Sequence, residues 1–328
     1  MIENSKIACV VPCFRETKHV LGVLEKIPTQ VDQVFVIDDC CPDRTGDLVN
    51  KKKKDPRVKV IFLEKNLGVG GATVAGYKEA LNFNNDIVVK IDGDGQMDPQ
   101  DLMKLVKPIL EKKSDYSKGN RFLLLKNIRS MPIGRIFGNI CLNFFSKFSS
   151  GFWEISDPTN GYTAIHKTAL LSINLDELQE GYFFESDMLS KLYLANATVK
   201  DVSIPAYYGS EESGINIFKI IPLFLYLHSR NFFVRIFLVY FIRDFSFYSL
   251  NLLFGSLLMA FGIIFGCINF VISIFYGVPA TAGTVMISAL PILIGFVSLM
   301  QFMINDIKNF PKVPLQNFNP NKENALKF

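Results

Sequence analysis

Charge is missing from one long stretch of this chain. From Phe245 to Asn305 there is no Asp, Glu, Lys, Arg or His, a run of about 60 residues where one membrane pass takes about 20. Two helical passes fit. Gly277, Val278, Pro279 and Gly283 punctuate the middle, which puts the first pass near Leu250 to Tyr276 and the second near Thr284 to Ile304. Histidine is also scarce: His19, His166 and His228 are scattered without ligand spacing, which argues against a zinc site. Cys9, Cys13, Cys40, Cys41, Cys141 and Cys267 include no C-x-x-C pair and are expected to be free thiols in a reducing cytosol. The opening MIENSK leads straight into a strand-like run, without a basic flank and long apolar core, so the N-terminal part is expected not to be exported. A G-x-G-x-x-G fingerprint is absent too, because Thr73 stands where its last glycine belongs and Gly68, Gly70 and Gly71 follow a third strand rather than a first. That argues against a nicotinamide cofactor.

Cations flank the uncharged run. Lys219, Arg230, Arg235 and Arg243 precede it, Lys308, Lys312, Lys322 and Lys327 follow it, and the link between the passes has none. Both flanks are therefore expected on the cytoplasmic side, with the chain a multi-pass protein of the inner membrane. The formal net charge of +4 is modest and reads as attraction to a membrane surface, with no nucleic acid as partner. Residues 1–212 are expected to form a cytoplasmic α/β domain, 213–244 interfacial helices rich in aromatics, 245–305 the transmembrane hairpin and 306–328 a cytoplasmic tail.

Before the hairpin, strand and helix alternate. Ile7 to Val11, Gln33 to Ile37, Val58 to Leu63 and Ile87 to Ile91 read as strands, with a fifth around Tyr116 to Gly119. Helices fall between them, with Asp43 and Thr45 offering capping oxygens for the second and Pro99 opening the fourth. This is the pattern of right-handed βαβ units and an open parallel sheet, whose ligands bind at the carboxyl ends of the strands. Each polar motif lies at such an end: Pro12 to Glu16, Asp38 with Asp39, Asn66 to Gly71, and Asp92 to Gln96. The glycines after Asn66 either let backbone approach a ligand or pack a helix closely.

The most telling stretch is VVKIDGDGQMDP, Val88 to Pro99. An apolar run ends in two carboxylates one residue apart, with glycines removing side-chain bulk around them. Asp92 and Asp94 can thus take one side of a hard divalent cation, Mg²⁺ or Mn²⁺, and leave its other positions to phosphate oxygens.

The succession VVPCFRE, VIDD, NLGVGGA, DGDGQMDP, GNRF, DPTNGY, FFESD and two spans resembles the bacterial family 2 glycosyltransferases of the polyprenyl-phosphate type, relatives of dolichol-phosphate mannosyltransferase and of the O-antigen-modifying glucosyltransferases. The resemblance implies an α/β, GT-A (Rossmann-like) catalytic domain, a nucleotide-sugar donor, a divalent cation, and inverting transfer of one sugar to a membrane polyprenyl phosphate. It also implies that a homo-oligomer can form. Pro12, Phe14, Glu16 and Asp39 would hold the nucleoside. Asp38 is either a partner in this or a strand-end turn carboxylate. Asp92 and Asp94 would hold the cation, with Gln96 beside them. Arg121, Arg135 and Asn139 would receive the acceptor phosphate, with Arg129 a weaker candidate, because guanidinium presents paired donors to phosphate oxygens. A phosphate acceptor is already largely dianionic at neutral pH, so no strong base is needed. Asp157, Glu185 and Asp187 are left to orient the donor sugar or the acceptor. The Q-x-x-R-W motif of processive polysaccharide synthases is absent, and the intact DGDGQ argues against a non-catalytic scaffold.

Overall fold

The computed structural model describes residues 5–123, 133–205 and 217–318. They form two units, residues 1–232 with 311–328, and residues 233–310.

The first unit opens with β1 (Ile7–Cys13), α1 (Val20–Glu25), β2 (Gln33–Asp38), α2 (Thr45–Lys52), β3 (Val58–Phe62), α3 (Gly68–Asn82) and β4 (Ile87–Lys90). A 3-10 turn at Pro99–Asp101 leads into α4 (Leu102–Leu110) and then β5 (Tyr116–Asn120). All seven residues of β1 are buried, as expected of a parallel strand covered on both faces. Pro99 needs no helical N–H at the start of its turn, and Asp98 accepts from Gln100 N at 3.0 Å. In α4, Leu102, Leu105, Val106 and Ile109 form the buried stripe at the spacing of one helix face.

The sheet has seven strands in the order β3-β2-β1-β4-β6-β5-β7, where β6 is Thr163–His166 and β7 is Val199–Ser203. It is mixed, which corrects the expectation of an open parallel sheet: β6 runs antiparallel between β4 and β5. TAIH is too short, and VKDVS too polar, to stand out as apolar runs. The reversal matters for the site. With Lys90 paired to Thr163, the DPTNGY segment preceding β6 is delivered to the carboxyl end of β4.

The unit also holds α5 (Ile133–Ser150), α6 (Lys167–Ser172), α7 (Phe184–Leu194) and most of α8 (Ile217–Phe237). The chain beyond residue 310 rejoins this unit. Leu315 N and Gln316 N donate to the buried Asp115 carboxylate at 2.8 and 3.2 Å. Gln316 Nε2 donates to Ile109 O and Ser114 O.

The second unit contains α9 (Phe247–Tyr276) and α10 (Ala282–Lys308), both long and apolar enough to cross a membrane. A reciprocal Ser246/Ser249 capping box starts α9, and Gly277, at φ +63°, ends it. The two helices approach through small residues: a Cβ on Gly262 would stand 2.7 Å from Ser288 O, and Ser288 Oγ donates to Gly262 O at 2.9 Å. Arg235 clasps Asp306 with two nitrogens, at 2.6 and 3.1 Å, and Tyr240 Oη donates to the same carboxylate at 2.8 Å. With Asp306 so paired, α10 runs past the last uncharged residue to Lys308.

Candidate functional site

The carboxyl ends of β1, β2 and β4 are neighbours, with Cys13 beside Asp38 and Val10 beside Lys90 in register. Pro12 is buried in β1, Phe14 emerges 39% exposed, and Glu16 is half-buried, its carbonyl accepting His19 N and Val20 N where α1 begins. Arg15, Cys40 and Arg44 all take left-handed φ, at 64°, 52° and 55°, so backbone strain gathers where these strands end. Asp38 is a structural carboxylate. It accepts from Cys41 N at 2.7 Å and Gly46 N at 2.5 Å, and it supplies the cap of α2 that Asp43 and Thr45 were expected to give. Asp39 is also buried and accepts Leu67 N at 2.7 Å; burial lifts its carboxyl above the ordinary range against the pull of the Leu67 and Gly68 N–H groups. The glycine run packs. Gly70 N and Gly71 N both donate to Glu180 O, so the loop before α7 closes the start of α3.

At the end of β4 the structure adds a group the sequence did not announce. Lys90 is 0% exposed, with Nζ 2.9 Å from Asp92 Oδ1 and 3.0 Å from Glu185 Oε1. Burial alone would lower the ammonium's pKa; the two carboxylates outweigh it and hold the pKa above its ordinary value. Gly161 of DPTNGY lies over this trio. A Cβ there would run into Lys90 Nζ and stand 2.8 Å from Asp92 Oδ2 and 3.3 Å from Glu185 Oε1. Asp94 is half-buried and accepts Gln96 N at 2.9 Å, while Gln96 is exposed.

Arg121 and Asp157 are brought together as a pair. Arg121 Nε and Nη2 meet the two carboxylate oxygens at 2.8 and 2.7 Å, and Arg121 N adds a third contact at 3.1 Å. Asp157 is buried at φ +56°. Burial pushes its carboxyl up, but Arg121 prevails and holds it below the usual range. Asn143 Oδ1 of α5 accepts from Asp157 N at 2.8 Å, and Lys118 Nζ donates to Asp157 O at 2.7 Å. Asn139 lies half-buried one turn before Asn143. Arg129 and the side chain of Arg135 lie outside the described residues; the backbone puts position 135 in α5.

Asp187 faces α8 rather than the loop end of β4, accepting Asn231 Nδ2 at 2.8 Å and Gln179 N at 3.1 Å. Nearby, His228 meets Ser149 Oγ at 2.8 Å among Phe145, Phe183 and Phe224, where burial drops its pKa to about 4. Trp153 packs edge-on against Phe148. Neither Lys90 nor Lys118 stands out in the sequence; the signal for each is a lysine inside an otherwise apolar or small-residue strand.

Among the described residues, no three His, Cys, Asp or Glu side chains gather into a metal cage. The DGDG loop has one or two carboxylates to offer: Asp94 is half-buried, and the Asp92 side chain, although paired with Lys90, is 27% exposed. This donor set fits a hard cation that completes its shell with phosphate and water.

A family model described as Glycosyl transferase family 2 matches residues 8–173. UDP-N-acetylglucosamine–dolichyl-phosphate N-acetylglucosaminyltransferase of Methanococcus voltae is 30% identical over 178 residues, covering 50% of this chain and 70% of its own. Undecaprenyl-phosphate mannosyltransferase of Micrococcus luteus is 27% identical, over 64% of this chain and 86% of its own. Among solved structures, glucosyl-3-phosphoglycerate synthase of Mycobacterium tuberculosis, in complex with Mn²⁺, UDP and phosphoglyceric acid, shares the fold at a TM-score of 0.53 and 17% identity, over 71% of this chain and 78% of its own.

Proposed function

Because this chain belongs to glycosyl transferase family 2, we propose that it transfers one sugar from a nucleotide-sugar to a polyprenyl phosphate at the inner membrane. The observation that carries this reading is the meeting of the DGDG loop with the ends of β1 and β2 in a chain that also holds two helices able to span a bilayer. Relatives named for dolichyl and undecaprenyl phosphates support the acceptor, and a fold relative solved with Mn²⁺ and UDP supports the donor and the cation.

In this reading Pro12, Phe14, Glu16 and Asp39 hold the nucleoside, while Asp94 and Asp92, with Gln96, hold the cation. When bound, the cation neutralises the departing nucleoside diphosphate. Arg121, Arg135 and Asn139 receive the acceptor phosphate, with Asp157 setting the plane of the Arg121 guanidinium through its paired contacts. The acceptor oxygen attacks the anomeric carbon in line and inverts it. The catalytic domain, both flanks of the hairpin and residues 306–328 lie on the cytoplasmic side, residues 213–244 rest in the interface, and the chain can assemble with copies of itself.

The test is transfer of labelled sugar to a short-chain polyprenyl phosphate, after a thermal-shift panel with Mn²⁺ has identified the donor. Arg135→Ala is expected to reduce transfer roughly ten- to a hundredfold, about 1.5 to 3 kcal/mol of charge-assisted contact, with donor affinity nearly intact. Arg135→Lys should recover part of that. Equal loss of donor binding would remove Arg135 from the acceptor site.

A further inference from the structure

Lys90 has no role in the reading above, yet it is one of the largest fully buried side chains in the chain. It is held on both sides by carboxylates. Asp92, one of them, belongs to the loop that offers charge to a cation, and its side chain reaches the surface at 27% exposure. The other, Glu185, stands in the first turn of α7 and is almost wholly buried. That turn is itself rooted, because Asp187 two residues on holds Asn231 of α8 and Gln179 N. Gly161 closes the remaining side, where a methyl group would not fit. The ammonium therefore has no room to swing away when the loop is used.

We infer that Lys90 is an internal countercharge which positions Asp92 and neutralises part of its charge, so that the loop binds a bare divalent cation weakly and takes it up together with a diphosphate. The inference rests on the reading of this loop as a cation and diphosphate site. Its sign follows from electrostatics at close range. A fixed positive charge beside a ligand oxygen opposes an incoming dication, and diphosphate oxygens supply the missing negative charge. Glu185 shares the ammonium with Asp92, so removing the Glu185 charge leaves the whole positive charge on Asp92. Removing both partners frees Asp92.

The experiment measures binding of Mn²⁺ alone to the full chain in detergent, from the electron paramagnetic resonance signal of the free hydrated ion. Glu185→Gln should bind Mn²⁺ about threefold more weakly than the unmodified chain, and Lys90→Met/Glu185→Gln about tenfold more tightly. The paired variant is chosen because Lys90→Met alone would leave the buried Glu185 carboxylate facing that of Asp92 without a cation. Thermal melts of the same preparations check the fold. Adding Asp92→Asn to the paired variant should cancel its gain, which ties the effect to this loop. In the unmodified chain UDP should tighten Mn²⁺ binding by a larger factor than in the paired variant. Equal Mn²⁺ affinities in all three proteins, or the reverse order, would overturn the inference. If the order of affinities holds but no variant transfers sugar to lipid phosphate, the countercharge stands and the acceptor reading fails.

Discussion

Lys90 and Arg235 are buried cations, one in each unit, and their surroundings differ. Arg235, 1% exposed, has both ends of its guanidinium on Asp306, and Tyr240 takes a further contact on the same carboxylate. Anion, cation and hydroxyl close on one another. Lys90 is equally buried but faces two carboxylates, one of which leads out into the DGDG loop. A closed cluster of this kind can only hold structure. The open one ties its charge to whatever the loop binds, and breaking each should therefore be felt in a different measurement.

The largest effect belongs to the closed cluster. Arg235→Met strands Asp306 and should cost about 3 to 5 kcal/mol, read as a lowered melting temperature in detergent. Arg235→Met/Asp306→Leu/Tyr240→Phe should regain most of it, since apolar groups need no polar partner. A melt unchanged in the single variant would show that the pair is dispensable.

His228 sharpens the contrast, being a buried ionisable group that is kept neutral. Its pKa of about 4 when folded lies below its ordinary 6.5, so between those values the unfolded chain binds the proton first. The stability is whole above pH 6.5 and drains as pH falls toward 4, by on the order of 2 to 3 kcal/mol. Melting temperatures from pH 7 to 4.5 should fall less steeply in His228→Leu. Parallel slopes would deny the histidine this part.

On the open side, Gly161→Ala forces a methyl group against Lys90, Asp92 and Glu185. Transfer should drop roughly thirtyfold, about 2 kcal/mol, with a smaller change in melting. If melting and transfer fell in step, the open cluster would be as purely structural as the closed one.

The smallest effect lies away from both clusters. Gln316→Ala removes two side-chain hydrogen bonds to carbonyl oxygens and should lower stability by about 1 kcal/mol without altering transfer by the protein that remains folded.

Much of this could be read from the chain. Apolar runs ending in Asp, Gly or Pro marked β1 to β4 and the side on which their loops gather, and the uncharged stretch marked α9 and α10. Such patterns report how each residue is solvated by its own neighbourhood. They carry no information about a partner 95 positions away, which is why Lys90 with Glu185 escaped notice, and Asp187 with Asn231. The same limit hid β6 and β7, whose burial depends on the strands beside them. Arg121 and Asp157 were each picked for charge and motif, but only the fold shows that they hold one another.

Asp115 makes the order of synthesis matter. Its carboxylate is met by Thr198 N and Oγ1 from β7's approach, and then by Leu315 N and Gln316 N. Between these two pairs of donors the ribosome must deliver the whole apolar hairpin. Until it has done so, water stands on Asp115 where those last two donors will be, so this contact of the first unit is among the last that synthesis can complete.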